Sequence, residues 1–168
     1  TAVNVLAGYG ASFYSIGDNF DSFIGRLSLA YLISPLSKAE LGVERSYFDS
    51  MLGNFYVRNL VFAKYDQMFD GRFVLSLQAS LARFDYGVIR DPSGAPIPGF
   101  SPNPMSEFRI EGLLFLEYRI QDWLGINATL QSTSNLTDFY YQDPAMPLGR
   151  DAGAYWKVTA FAGLRFFL

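Results

Sequence analysis

Three absences narrow the chemistry open to this chain of 168 residues. Cysteine is missing, which excludes a disulfide framework and thiolate chemistry. Histidine is missing as well, which removes the usual general base, the commonest transition-metal ligand and the side chain that titrates near neutral pH. Long apolar runs are also missing: none approaches the ~20 residues that a membrane-spanning helix requires.

The residues that are abundant favour strands. Aromatic residues make up 17% of the chain, with 16 phenylalanines and 11 tyrosines, and glycine occurs 15 times. Aromatic and apolar residues at short spacing are typical of strands rather than helices. The net charge of −3 argues against nucleic-acid binding. We expect one domain spanning residues 1–168, with neither a cofactor nor a bound metal.

Alternation of apolar and polar residues is the main structural signal, and it is clearest from Glu107 to Ile120. The even positions of this segment are apolar or glycine, whereas the odd positions carry all of its charges. A strand separates these two sets onto opposite faces, whereas a helix would mix them. The segment is longer than the ~5–6 residues of a soluble strand and suits a tilted membrane strand of ~9–11 residues with protruding ends.

The same alternation recurs in eight segments and predicts an all-β, antiparallel, up-and-down architecture. The segments are 3–13, 23–33, 38–44, 55–65, 72–81, 107–120, 124–131 and 156–168. Short connections at 34–37, 66–71 and 121–122 alternate with long ones at 15–22, 48–54, 84–106 and 136–154. Short turns at one rim and long loops at the other are typical of outer-membrane barrels, whose short turns are periplasmic.

In these features the chain resembles the small eight-stranded bacterial outer-membrane β-barrels, such as the OmpA transmembrane domain and OmpX. A fainter similarity extends to barrel-domain proteins of myxobacteria. The last segment resembles the barrel-assembly signal of the class, although it ends in Leu168 where such signals usually end in Phe. The resemblance implies a transmembrane β-barrel of about eight strands, integral to the outer membrane, that meets the barrel-assembly machinery during biogenesis.

The charged residues of the strands share the polar parity of their segments, so a barrel would enclose them. A charge facing lipid costs ~2–4 kcal/mol near the midplane, and eight strands leave just enough room for side chains to fill the interior. We expect packing to be the role of these charges, with a narrow ion path as the alternative, and we expect every aspartate in a turn or loop. The predicted interior ionic network comprises Arg26, Glu40, Glu44, Arg58, Lys64, Arg72, Arg109, Glu111, Glu117, Arg119, Lys157 and Arg165.

Two further sets of residues have the apolar parity. Arg45 and Arg83 lie near the long loops, where they would contact lipopolysaccharide phosphates, because a guanidinium donates bidentately to phosphate. The alternative is that both strands have already ended and both arginines are solvated. Aromatic residues are predicted to form girdles at the two membrane interfaces. Tyr31, Tyr65, Tyr118 and Trp123 supply the girdle at the short turns, and Tyr9, Phe13, Tyr47 and Trp156 supply the girdle at the long loops.

The sequence favours a non-catalytic role. A Gly-x-Ser-x-Gly elbow is missing, and Glu111 and Glu117 lie ~20 Å apart along one strand, too far for a glycosidase pair. An open channel needs ~16 strands or more. We therefore expect a membrane anchor or binding module that contacts lipid and lipopolysaccharide and presents loops, such as the aromatic stretch 139–141, to a periplasmic or surface protein. The alternatives are a narrow pore component and a soluble lipocalin-like barrel that binds a small apolar ligand.

Overall fold

The computed structural model describes residues 1–142 and 150–167. Eight long strands form one antiparallel sheet in chain order, and three short strands form a second sheet. In that part of the chain the strands are β1 (Ala2–Ser12), β2 (Phe20–Ser34), β3 (Ser37–Asp49), β4 (Phe55–Phe69), β5 (Phe73–Tyr86), β6 (Phe100–Ser101), β7 (Ser106–Gln121), β8 (Leu124–Leu136), β9 (Tyr140–Gln142), β10 (Arg150–Ala152) and β11 (Tyr155–Phe166). No helix among these residues is long and apolar enough to span a membrane.

The registers bring most of the charged strand residues onto one face of the large sheet. Directly opposite residues of an antiparallel pair lie on the same face. Arg26 of β2 lies opposite Glu44 of β3, and Glu40 of β3 lies opposite Lys64 of β4. We call this side the charged face and the other side the apolar face.

The two faces differ in exposure. In β5, Ala82 and Phe84 on the charged face are buried, whereas Leu81 on the apolar face is exposed. In β7, Glu117 on the charged face is buried and its neighbour Tyr118 on the apolar face is exposed. A flat sheet would expose both faces equally, so the sheet curls around its charged face.

The short turns are present, but one of them begins later than expected. β4 continues to Phe69, so the predicted turn at 66–71 is reduced to residues 70–72. Asp66 therefore lies within β4, opposite Lys38 of β3. The expectation that every aspartate lies in a turn or loop is wrong, since Asp21 and Asp85 are also strand residues. An opposite charge on the same face lets an aspartate continue a strand.

The second sheet lies in connections that the sequence predicted as plain loops. Phe100–Ser101 of β6 pairs with β9, and β9 also pairs with β10. Strands of two or three residues are too short to show alternation, so the sequence carried no signal for them. Two long loops are joined by this sheet.

The large sheet is open. β1 and β11 are its edges, and no backbone pairing joins them within the described residues. Both faces of β1 and β11 are largely exposed. The predicted eight-stranded, up-and-down, antiparallel architecture is thus confirmed, whereas the predicted closure into a barrel is not observed. Leu168 of the predicted assembly signal lies outside the described residues.

Two glycines on opposite faces of the sheet test its packing: Gly42 is on the charged face and Gly112 is on the apolar face. Gly42 of β3 lies opposite Phe62, and a Cβ there would overlap the Phe62 ring and approach Ser28 Cβ to 2.9 Å. Gly112 of β7 has no atom within 4 Å of the position that its Cβ would take.

We expect Gly42→Ala to lower the free energy of unfolding by about 1–3 kcal/mol, because overpacking displaces the ring. Gly112→Ala makes the same change on the apolar face, where nothing in the described residues lies within 4 Å of the added Cβ, and should be neutral, or stabilising by up to about 1 kcal/mol, because it restricts the unfolded chain. Urea unfolding followed by tryptophan fluorescence measures both. Equal effects would contradict the close approach of Phe62.

Candidate functional site

Ion pairs on the charged face connect three neighbouring strands. Glu44 of β3 accepts from Arg26 Nη1 at 3.4 Å and from Arg58 Nη2 at 2.5 Å. Arg26 also donates from Nη2 to Glu40 Oε1 at 3.4 Å. Because Arg26 bridges two carboxylates and Glu44 bridges two guanidinium groups, β2, β3 and β4 are joined by one continuous ionic network.

A second cluster surrounds Glu107 near the long loops. Glu107 is 7% exposed. Its carboxylate accepts from Arg109 Nη2 at 2.7 Å, from Asn135 Nδ2 at 2.9 Å and from the Tyr86 hydroxyl at 3.4 Å. A buried carboxylate is tolerated when several donors compensate for its lost hydration. Asn135 and Tyr86 were not predicted, although the polar parity of Asn135 could have identified it.

A third cluster lies at the short-turn rim. Glu117 is 3% exposed and accepts from Arg165 Nη1 at 3.2 Å. The ring of Phe167 lies beneath two guanidinium groups, with its centroid 4.4 Å from Arg119 Cζ and 5.1 Å from Arg165 Cζ. Phe167 thereby covers this end of the charged face.

Five predicted members of the network take no part in the ion pairs of the described residues: Lys64, Arg72, Glu111, Arg119 and Lys157. Lys64 Nζ lies 5.6 Å from the centroid of the Phe62 ring. Glu111 is on the charged face, and Lys157 is exposed on the edge strand β11. The prediction for Arg72 needs correction, because this residue is exposed in the turn between β4 and β5 and not in a strand.

The predicted girdle residues lie at the two rims of the apolar face. Tyr31, Tyr118, Trp123 and Trp156 are exposed. The hydroxyl of Tyr65 donates to Gln67 Oε1 at 2.7 Å. Tyr31, Tyr65, Tyr118 and Trp123 are near the short turns, and Trp156 is near the long loops, at the start of β11.

Tyr47 differs from the other predicted girdle residues. Its ring stacks on that of Phe20 with centroids 4.2 Å apart, and its hydroxyl is 2.8 Å from the hydroxyl of Tyr14. Both hydroxyls donate to Asp49 Oδ1. Burial and these hydrogen bonds raise the pKa of Tyr14. Tyr47 therefore anchors the β1–β2 loop and is not part of an exposed girdle.

Arg45 and Arg83 lie in one row of the apolar face, on either side of Asn59. Arg45 donates from Nη1 to Asn59 Oδ1 at 2.7 Å and from Nε to the carbonyl of Phe23 at 3.2 Å. Arg83 Nε donates to Asp85 Oδ1 at 2.9 Å. Both arginines are exposed and both are strand residues, so the alternative that their strands have already ended is wrong.

Polar contacts tie the long loops to one another. Asp18 of the first loop accepts from the backbone nitrogen of Val88 and from Arg90 Nη2, each at 3.2 Å. Asn54 Nδ2 donates to the carbonyl of Ile16 at 2.7 Å. Three loops that are far apart in sequence are thus held together at one rim.

Asp91 organises the tip of the longest loop. Its Oδ1 accepts from the Ser93 hydroxyl at 2.5 Å and from the backbone nitrogens of Ser93 and Ala95 at 2.8 and 3.0 Å. These hydrogen bonds, led by that of the Ser93 side chain, lower the pKa of Asp91. Asp91 thus acts as the turn former that Asx chemistry predicts.

The aromatic stretch 139–141, a candidate recognition site, leads into the second sheet, since Tyr140 and Tyr141 belong to β9. The Phe100 ring lies 5.8 Å from that of Phe139 and 5.0 Å from that of Tyr141. Asp143, which follows this stretch, is outside the described residues. These ring contacts connect the two long loops, and Phe139, Tyr140 and Tyr141 are half-buried.

Comparison with protein-family models, curated proteins and solved structures found no match to this chain. Across residues 1–142 and 150–167, no three Asp or Glu side chains are grouped as metal ligands would be.

Two arginine–carboxylate pairs test how far the charged face depends on its ion pairs. Arg109 pairs with Glu107 on the charged face, and Arg83 pairs with Asp85 on the apolar face, where Arg83 is exposed and Asp85 is half-buried. The two pairs have the same spacing in sequence, and they lie in the adjacent strands β7 and β5.

Arg109→Met should lower the free energy of unfolding by about 2 kcal/mol or more, because it leaves the buried carboxylate of Glu107 without its main partner. Arg83→Met should cost less than about 1 kcal/mol, because water screens an exposed pair. Thermal unfolding followed by far-UV circular dichroism compares the two. An Arg109→Met variant as stable as Arg83→Met would show that Glu107 does not need its ion pair.

Proposed function

We propose that this chain is an integral outer-membrane domain of a Gram-negative bacterium, closed as an eight-stranded β-barrel, that serves as a non-catalytic anchor or binding module. The observation that carries the proposal is the exposed apolar face. Soluble monomers rarely expose a contiguous apolar patch of more than ~300–600 Å². Here exposed apolar side chains occur on all eight long strands, including Val5, Phe23, Leu41, Val61, Leu81, Ile110, Leu130 and Leu164.

The rims of the sheet support the membrane assignment. Exposed tyrosine and tryptophan at both ends of the apolar face match the aromatic girdles of outer-membrane barrels. The short turns would be periplasmic and the joined long loops would face outward. Arg45 and Arg83 would then meet the phosphates of lipopolysaccharide. The loops would present a surface to a protein partner, and the barrel-assembly machinery would act during insertion.

The soluble lipocalin-like alternative needs the opposite sidedness. A ligand-carrying barrel in water lines its cavity with apolar residues and turns its charges outward. Glu107 and Glu117 are instead buried, and the sheet curls around the face that carries them. This arrangement favours lipid, rather than water, around the apolar face.

The proposal includes closure of the sheet into a barrel, and the exposure of two residues at the open edges supports this closure. Leu6 of β1 and Phe161 of β11 both lie on the charged face, yet they are 70% and 60% exposed. Pairing β1 with β11 would bury both side chains. It would also satisfy the backbone groups at the edges, which lipid cannot do.

The observed registers indicate how the edges would pair. A row of residues, each directly opposite the next one on the neighbouring strand, can be followed across the whole sheet. It begins at Val3, near the short-turn end of β1, and ends at Val158, near the long-loop end of β11. In a closed barrel of eight strands tilted by ~35–45°, such a row returns to β1 about 8 to 12 residues away from the residue at which it began. This displacement is an even number, because paired residues must have their side chains on the same face. A displacement of about eight residues sets Val158 opposite Ala11.

This register also gives complementary side chains on the charged face. Phe161 would lie opposite Gly8, and Leu6 would lie opposite Gly163, so each large residue would cover a glycine. An aromatic side chain over a cross-strand glycine is a recurrent stabilising arrangement in sheets. The next even displacement would instead set Gly8 opposite Gly163 and Leu6 opposite Arg165, which leaves a gap and an aliphatic–cation contact.

The membrane assignment predicts that the full chain requires detergent or lipid for monodispersity. Folded protein should migrate differently from boiled protein on a gel, because the closed ladder resists detergent. Brominated lipids should quench Trp123 and Trp156 most strongly when the bromine is near the headgroup, where girdle residues lie. A monomer in aqueous buffer whose tryptophans brominated lipids do not quench would contradict the proposal.

The closure register is tested with cysteine pairs, on a background without native cysteine. Ala7→Cys with Ala162→Cys would be directly opposite, with Cβ atoms ~4.5–5.5 Å apart, and should form an intramolecular disulfide with a lipid-soluble oxidant. Ala11→Cys with Ala160→Cys is the matched control on the same face, displaced diagonally to ~7–8 Å. Faster cross-linking of the control would indicate the larger displacement. Disulfides between molecules alone would show that the edges pair with other copies.

A further inference from the structure

A polar cavity of about 270 Å³ opens on the charged face, between side chains of β2, β4, β5 and β7. The charged residues that line it are Arg26, Arg58, Lys64, Arg109 and Glu111. Four of these five side chains are cations. Three arginines from different strands therefore converge on one cavity together with a lysine.

Two arginines that line the cavity each have a donor without a hydrogen-bond partner in the described part of the chain. Arg58 Nε and Arg109 Nε are both buried and have no hydrogen-bond partner among the described residues. Lys64 enters no ion pair there either. Glu44 and Glu107 pair with the guanidinium groups of Arg58 and Arg109, but neither carboxylate lines the cavity. The positive charge of Lys64 is therefore the one in the lining that no carboxylate of the described residues pairs with.

The two arginines with unpartnered Nε are held in fixed positions. Arg58 lies opposite Phe84 of β5, and Arg109 lies opposite Ala82, two positions along the same strand. The guanidinium of Arg109 is stacked 4.4 Å above the centroid of the Phe84 ring, and that of Arg58 lies 5.0 Å from the Phe48 ring. Stacking on one side and a carboxylate on another fix each planar fork, which reduces the entropy lost when a ligand binds.

We propose that this cavity binds a tetrahedral oxyanion, namely phosphate or a phosphate monoester. The guanidinium fork matches the spacing of phosphate oxygens and donates bidentately, and Lys64 adds a positive charge that no carboxylate of the described residues takes up as an ion pair. The inference goes beyond the proposed function and does not depend on it, because all of the charged lining residues lie on strands of the open sheet. Closure of β1 onto β11 would only cover the cavity.

The test titrates inorganic phosphate into the refolded full chain by isothermal calorimetry, with folding checked by circular dichroism. Lys64→Gln should weaken phosphate binding about fivefold or more, because it removes a cation from the lining without leaving a carboxylate unpaired. Glu111→Gln should tighten phosphate binding by a similar factor, because it removes the repelling charge. A purely structural role for these residues would not give effects of opposite sign.

Lys157→Gln is the matched control. It makes the same change on the charged face, but at the edge strand and outside the cavity, and should leave the affinity within about twofold. Saturable phosphate binding that is lost equally in both lysine variants would overturn the proposal, as would the absence of binding at about 10 mM phosphate. A short-chain phosphatidic acid in a parallel titration separates the two sources of phosphate, since a lipid headgroup should bind more tightly than inorganic phosphate only if it is the ligand. Neither result depends on whether the chain enters a membrane.

Discussion

The two-residue period of the β-strand is the constraint on which the rest of this structure depends. Most of the charged strand residues lie on one parity of their strands, and the registers align those parities across the sheet, whereas Arg45 and Arg83 are exceptions on the apolar face. A slip of one residue in any pairing would move a whole set of side chains to the other face. It would bring Glu44 or Glu117 among exposed leucines and would separate the ion pairs. Opposite-charge pairing and face segregation therefore specify the same register.

The charges of this face are compensated by networks more than by single pairs. Arg26 spans two carboxylates, and Glu107 accepts from three different side chains. Several of the guanidinium groups also stack on aromatic rings, which provides contact with their planar surfaces where hydration is lost. Such an arrangement fills the interior side of a small curled sheet, yet it leaves unpartnered donors around one cavity. Packing and anion binding are compatible there, because the same fixed arginines would serve both.

The open edges of the large sheet and the joined long loops both concern parts of the chain that need partners from distant segments. β1 and β11 present unpaired backbone groups, which a protein must pair, cover or shield, most of all in lipid. At the loop rim the problem is solved by side chains: Asp18 binds Arg90, and the short second sheet connects two long loops. At the edges, the proposed closure register would set a large residue of each strand opposite a glycine of the other. Pairing of the two edges would extend the same ladder around the molecule.

The amino-acid sequence by itself determined the strand class, the parity of nearly every charge and the alternation of short turns with long loops, because a period of two is a local property of the chain. It could not determine that Tyr47 packs inward or that Asp66 continues β4, since each depends on a partner from another strand or loop. It also could not reveal the second sheet, whose strands are shorter than one full alternation. Which arginines converge on a cavity, and which donors stay unpartnered, was decided only by the tertiary structure, because register and curvature bring together residues that no sequence spacing relates.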